Sequence, residues 1–250
     1  MTGRPEIEAE ILGDGETLAR RAADWLTATA IATEGRFVVS LSGGSTPRRL
    51  YELLADAPRR ASFPWMRTHW FWGDERFVRH TDARSNYRMA REALLSRAPI
   101  PEANIHPVPT EGVTPEAGAA AYDAELKSFY GKDRLDPARP FFDVTLLGLG
   151  PDGHTASLFP GTSVLAERQK WAAAVLDGKL EPRITLTYPL LESSRYAVFL
   201  VAGAEKRDML ARLRRGDREL PAARLVAVGK MLLFADTAAA DRTSPQTPRL

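Results

Sequence analysis

Four short segments of this chain carry residues able to do chemistry. Asp152-Gly153-His154 places a histidine two residues after a carboxylate. Imidazole is the side chain that ordinarily titrates near neutral pH, so a histidine in a glycine turn that reaches into a cleft is a candidate general base. Asp152 is close enough along the chain to orient or polarise it. Gly43-Gly44-Ser45-Thr46 lets the backbone approach a ligand and adds two hydroxyls ahead of a predicted helix. The unpaired N–H groups and partial positive charge of a helix start favour an anion, so this segment reads as a phosphate cradle. No Gly-Lys-Ser/Thr follows, which excludes a nucleotide P-loop. Asp74-Glu75-Arg76 sets three charges in a row. Such a run ordinarily marks a solvated loop, but this one directly follows an aromatic strand pattern, and Arg76 can clamp a phosphate or carboxylate with its fork of donors. Lys206, in Gly203-Ala204-Glu205-Lys206, stands at a predicted helix start where a cation opposes the helix dipole. An anionic ligand would relieve that conflict.

The elements that must position these residues repeat as a short apolar run, a glycine or charged turn, and a helical pattern. Strands are predicted over residues 36–41 (RFVVSL), 68–72 (THWFW), 142–147 (FDVTLL) and 196–201 (YAVFLV), with weaker ones near 172–176, 184–187 and 231–234. Helices are predicted over 15–33, from Pro47 to about residue 56, over 85–97, and from Glu205 onward. Pro47 suits the first helical position, where its missing N–H costs nothing. Strands alternating with helices imply an α/β fold, a three-layer α/β/α arrangement around a Rossmann-like, mostly parallel sheet. Ligands of such sheets bind outside the carboxyl ends of the strands. All four chemical segments follow predicted strands, so a parallel sheet would bring them to one edge. The stretch 99–115 is a long, Pro-containing connection.

The turn after the third strand also reads Gly148-Leu149-Gly150-Pro151-Asp152-Gly153, which fits the G-x-G-x-x-G dinucleotide pattern. Pro160-Gly161 interrupts the chain shortly afterwards, whereas a dinucleotide fold needs a longer helix there to aim its dipole at the pyrophosphate. Nicotinamide binding is therefore not expected. With no cysteine in the chain, disulfides, thiolate catalysis and Cys-ligated zinc are excluded by count. His69, His80 and His106 share no short spacing with His154, so neither a metal site nor a cofactor is expected.

The 250 residues carry 34 Lys and Arg against 32 Asp and Glu, a net charge of only +2, with no basic stripe interleaved with aromatics. Nucleic acid is not an expected partner. The first fifteen residues alternate charged and apolar types and lack the core of a signal peptide, and no run approaches a membrane span. A cytoplasmic monomer without a membrane partner is expected, built as one α/β domain over residues 1–241 with a polar tail over 242–250.

The ordered set of segments resembles the glucosamine-6-phosphate isomerase/6-phosphogluconolactonase family. The carrying stretches are LSGGSTPRRLYELL (41–54), WFWGDERFV (70–78), SNYRMAREALL (85–95), LLGLGPDGHTASLFPG (146–161), RITLTYPLL (183–191) and AGAEKRDML (202–210). They span nearly the whole chain, which is far more specific than any one motif. In the deaminase branch the glycine-histidine segment typically continues His-Ile-Ala-Phe-Asn-Glu-Pro. Here it reads His154-Thr155-Ala156-Ser157-Leu158-Phe159-Pro160, so Leu158-Phe159 replaces the Asn-Glu pair and the lactonase branch is favoured. The resemblance implies hydrolysis of 6-phosphoglucono-δ-lactone, a small sugar-phosphate lactone, in the oxidative pentose phosphate route. It implies His154 as the base that activates water. Gly43, Gly44, Ser45 and Thr46 would hold the phosphate, with Lys206 as counter-charge. Arg76 would serve either the phosphate or the oxyanion, with Asp74 orienting it, and Arg183 is a further candidate from the Arg-Ile-Thr segment.

Overall fold

Strands buried on both faces need uninterrupted apolar sequence, and β2 (Phe37–Leu41) and β6 (Phe142–Leu147) are buried at every position. In the computed structural model, which describes residues 7–240, they lie at the centre of a seven-stranded sheet. The expected tail over 242–250 lies outside the described residues. The remaining strands of that sheet are β1 (Ile7–Leu12), β3 (Thr68–Trp72), β5 (Ile105–His106), β9 (Ser194–Val201) and β10 (Lys230–Asp236), in the order β1-β10-β9-β6-β2-β3-β5. Every pairing is parallel. A second, antiparallel sheet of β4 (Asp74–Arg76), β8 (Arg183–Leu186) and β7 (Ala172–Val175) stands beside it. Helices α1 (Gly15–Ala32), α2 (Ser45–Ala55), α3 (Arg59–Ser62), α4 (Asn86–Ala90), α5 (Pro115–Tyr130), α6 (Tyr188–Glu192), α7 (Arg207–Arg214) and α8 (Pro221–Arg224) complete the three-layer α/β/α fold. A π-helical turn, Arg91–Leu95, carries α4 onward.

The expected parallel sheet is present, with three differences that have physical causes. First, β1 was not expected as a strand. Its sequence IEAEIL alternates polar and apolar residues, which suits an edge strand with one wet face. Glu8 and Glu10 there pair with Lys230 and Arg21. Second, α5 was not foreseen, because its buried face is built largely of small or aromatic residues, Gly118, Ala119, Tyr122, Leu126 and Tyr130. Its ends were nevertheless marked: Thr114 caps it, Pro115 opens it, and Gly131 closes it at φ +78. Third, the weaker strands at 172–176 and 184–187 do not extend the main sheet: they pair with each other in the small antiparallel one, where the second of them also pairs with Asp74–Arg76. The charged run 74–76 is thus a strand and not a solvated loop; Asp74 and Glu75 are buried.

Two buried tyrosines tie the strand ends that carry the chemistry. The Tyr51 hydroxyl accepts from the backbone N–H of Ser42 and donates to its carbonyl. The Tyr122 hydroxyl does the same for Trp72, at 3.0 and 3.1 Å. Neighbouring β5 pairs only as far as Phe71, so no strand is available to satisfy Trp72 on that side. Burial pushes both phenol pKa values up, so both hydroxyls remain donors. Tyr122→Phe strands a buried N–H and a buried carbonyl, at an expected cost of about 1–3 kcal/mol. For a chain of this size each kcal/mol lowers Tm by about 2–4 °C. An unchanged melting curve would show that the clamp contributes nothing.

Candidate active site

The register of the parallel sheet ends its strands together. Leu41 of β2 lies beside Trp72 of β3, and Leu147 of β6 beside Phe199 of β9. The turns that follow enclose a cleft of about 330 Å³. It is walled by Ser42, Gly43 and Gly44, by Asp74 and Arg76, by the loop from Gly148 through Phe159, and by Lys179, Arg183 and Lys206.

The glycine turn leads straight into α2. Gly44 sits at φ +111 as the helix N-cap, a backbone state that L side chains rarely adopt, and offers no side chain to cap the helix. The first helical hydrogen bond runs from Arg48 N–H to the Gly44 carbonyl. The N–H groups of Ser45 and Thr46 therefore precede the helical ladder. Helix α2 starts at Ser45, two residues earlier than expected, so Pro47 lies inside the first turn and is buried. Gly43 is required by close approach, since a Cβ there would stand 2.1 Å from Oδ1 of Asn86. Neither Ser45 nor Thr46 is among the walls of the cleft, whereas Ser42 is.

Along β4 the side chains alternate. Asp74 and Arg76 face the cleft, while Glu75 turns away and is 1% exposed. Its carboxylate accepts from the N–H groups of Arg76, Asn86 and Tyr87 and from the Ser85 hydroxyl, closing the N-terminus of α4. Burial pushes its pKa up, against the pull of those donors. The Asn86 amide in turn donates to the Asp74 carbonyl. The expectation that Asp74 orients Arg76 does not hold. The Asp74 carboxylate accepts from the Ser157 hydroxyl at 2.6 Å, and Arg76 donates to the Arg84 carbonyl instead.

Arg76 and Arg183 are directly opposite in the β4–β8 ladder. Both have a buried Nε–H without a partner. Arg183 reaches Glu181 only at 3.4 Å. Burial lowers the Arg183 pKa, and the neighbouring Arg76 charge lowers it further. The two guanidiniums lie side by side in a partly buried wall, and the carboxylates of Asp74, Glu181 and Glu75 offset the mutual repulsion at Arg183. Lys206, in the 3₁₀ turn Ala204–Lys206 ahead of α7, adds a further cation, and the helix itself begins at Arg207, two residues later than expected.

The loop after β6 supplies the titratable centre. Gly150 N–H donates to the His154 carbonyl and Gly153 N–H to the Gly150 carbonyl, folding the chain back on itself. The imidazole Nδ1 pairs with Oδ1 of Asp152, whose other oxygen receives Lys179 Nζ at 3.0 Å. Partial burial works to raise the Asp152 pKa, but the hydrogen bonds from His154 and Lys179 outweigh it and hold the group at about 2. Asp152 is therefore ionised at any pH where the site would operate. Phe159 packs against the imidazole with ring centroids 4.6 Å apart. Residues 151–162 form turns without a helix, so the G-x-G-x-x-G match has no dipole to offer a dinucleotide.

Of the expected site residues, Gly43, Gly44, Asp74, Arg76, His154, Arg183 and Lys206 meet in one cleft, with Asp152 behind the histidine. Sequence reading missed Ser42, Asn86, Ser157 and Lys179. Asn86 and Ser157 act through contacts that join segments far apart in the chain, and Lys179 lies in a loop with no motif of its own. Two of the other three histidines gather, but elsewhere: His69 Nδ1 lies 3.1 Å from His106 Nε2, and His106 Nδ1 lies 2.8 Å from Glu125. Burial first, then the charges of His106 and Arg36, pushes the His69 pKa down to about 4. No group of three metal-ligating side chains occurs among the described residues. No helix among them is long and apolar enough to cross a membrane.

A cationic cleft at the carboxyl edge of a parallel sheet, with a carboxylate-paired histidine in its wall, defines an α/β enzyme for small anionic substrates. The family model described as glucosamine-6-phosphate isomerases/6-phosphogluconolactonase matches residues 13–233, and the chain belongs to this family. It is 40% identical over 246 residues to the 6-phosphogluconolactonase of a Synechocystis species, covering 95% of this chain and 99% of that protein. The 6-phosphogluconolactonase of a Nostoc species is 41% identical over 237 residues, or 92% and 95% of the two chains. The crystal structure of 6-phosphogluconolactonase from Thermotoga maritima superposes with a TM-score of 0.79 at 31% identity, covering 93% of this chain and all of that one (100%).

Proposed function

We propose that this chain hydrolyses 6-phosphoglucono-δ-lactone to 6-phosphogluconate, acting as a monomer in the cytoplasm, with His154 as the general base. The observation that carries the reading is the pairing of His154 Nδ1 with an ionised Asp152 beside a cleft lined by Arg76, Arg183 and Lys206. With the Nδ1 proton committed to Asp152, Nε2 carries the lone pair that can accept a proton from water. The water oxygen bonds to the lactone carbonyl carbon as Nε2 takes its proton, and the carbonyl becomes an oxyanion. Collapse of that intermediate breaks the bond to the ring oxygen. The imidazolium returns its proton to this oxygen, which becomes a hydroxyl, and the new acid ionises.

The glycine turn, Arg76, Arg183 and Lys206 are assigned to the two negative charges of the reaction, the fixed phosphate and the transient oxyanion. Kinetics divides them. Lys206→Met is expected to raise KM by about tenfold or more with kcat little changed, the pattern of a group that binds substrate and transition state alike. Arg76→Met and Arg183→Met follow the same rule if they hold phosphate and lower kcat if they meet the oxyanion. An unaltered KM for Lys206→Met would remove that residue from the phosphate site.

The reading is tested by following lactone loss in a coupled assay corrected for spontaneous hydrolysis. A rate no greater than the uncatalysed background would overturn it. Phe159, apolar and packed on His154, stands in the segment where a deaminase places a carboxylate, so glucosamine 6-phosphate is expected to release no ammonia.

A further inference from the structure

Among the described residues, Lys179 is the one cationic side chain lining the cleft with no place in the chemistry above. It lies in the connection between β7 and β8, and this connection is fastened on both sides of the cleft. On one side Lys179 Nζ sits 3.0 Å from Asp152 Oδ2 and 5.0 Å from the centroid of Phe159. On the other, Glu181 pairs with Arg84 at 2.9 Å. Gly178 lies so close to the Phe159 ring that a Cβ there would come within 2.2 Å of it. The ammonium is therefore set at the Asp152–His154 pair by the packing of its loop and does not sweep the surface freely.

We propose that Lys179 is a positioning residue for the lactone hydrolysis: by holding the outer oxygen of Asp152 it fixes the carboxylate that orients His154 and offsets the negative charge that would otherwise keep the imidazole protonated. The inference rests on the reading of His154 as the base. A carboxylate alone at Nδ1 would favour imidazolium, the form that cannot accept a proton. A cation on the other carboxylate oxygen works against this while leaving the hydrogen bond that sets the tautomer. The remaining groups around the imidazole are the apolar ring of Phe159 and, lining the same cleft, Asp74, Arg76, Arg183 and Lys206. None of those four is paired with Asp152.

The test is the pH dependence of kcat/KM for Lys179→Met and Lys179→Arg, run beside His154→Ala. Loss of the cation is expected to move the acid limb to higher pH by about half a unit to one unit, as befits a partly exposed charge one carboxylate away. Activity should then fall several-fold more at pH 6 than at pH 8, and Lys179→Arg should restore the limb. Suppose Lys179 only anchored its loop or touched the phosphate. KM would then rise by the same factor at every pH and the limb would stay in place, which overturns the inference. The two readings fail separately. Near-normal turnover by His154→Ala removes the base itself, whereas an inactive His154→Ala with an unmoved Lys179→Met limb removes only the role of Lys179.

Discussion

His154→Ala is expected to lower kcat for the lactone by about 10²–10⁴-fold, the usual worth of a positioned general base. KM should stay within about threefold, because the side chain meets the reacting water and not the phosphate. The substitution also removes the proposed base, so the acid limb expected of the unaltered protein should vanish, and the residual rate should track hydroxide. Folding is not at risk to a similar degree. The imidazole is partly exposed, and its contacts include the Asp152 carboxylate and the buried Phe159 ring. The residual activity reports what the cations and the glycine turn achieve without a base. A variant with near-normal kcat at neutral pH would sink the assignment.

The second large effect comes from a residue with no functional group. A Cβ added at Gly150 would stand 2.0 Å from His154 Nδ1 and 2.1 Å from Cε1. Gly150 is not at positive φ, so alanine is compatible with the backbone there. The three atoms nearest that Cβ all belong to the imidazole, and the ring can escape only by leaving its place against Asp152. Gly150→Ala is thus expected to lower kcat by about 10²-fold, the scale of a displacement of about 1 Å in a catalytic group. The fold should survive, since the ring can swing toward the open cleft. Activity and Tm measured together settle the matter. Loss of both would mean that the glycine serves the fold, and retention of both would mean that His154 is not held as described.

Much of the machinery was legible along the chain because each part follows a strand. Buried apolar runs such as FVVSL and FDVTLL declare their strands, parallel pairing brings their ends to one edge, and residues placed there by sequence meet in space. The helix after Thr114 was harder to see because Gly118, Ala119 and the tyrosines bury a face without the usual leucine stripe. Strand β1 was hidden for the opposite reason: an edge strand is half polar, and its alternation resembles a charged terminus. The run 74–76 was read as the turn that ends its strand, whereas it forms a short strand of its own. Its burial depends on Ser157, Ser85 and the first turn of α4, which come from other parts of the chain.

The sequence by itself determined the fold class, the edge of the sheet where chemistry gathers, the family, and most of the residues around the cleft. These follow from local patterns, or from motifs whose order along the chain is itself the information. Tertiary structure alone decided which groups touch. It gave Asp74 to Ser157 instead of Arg76, set Arg76 against Arg183 with both Nε–H groups unpaired, and brought Lys179 to the far side of Asp152. A hydrogen bond or an ion pair depends on a few tenths of an ångström between atoms that can be a hundred residues apart, and no spacing along the chain encodes that distance.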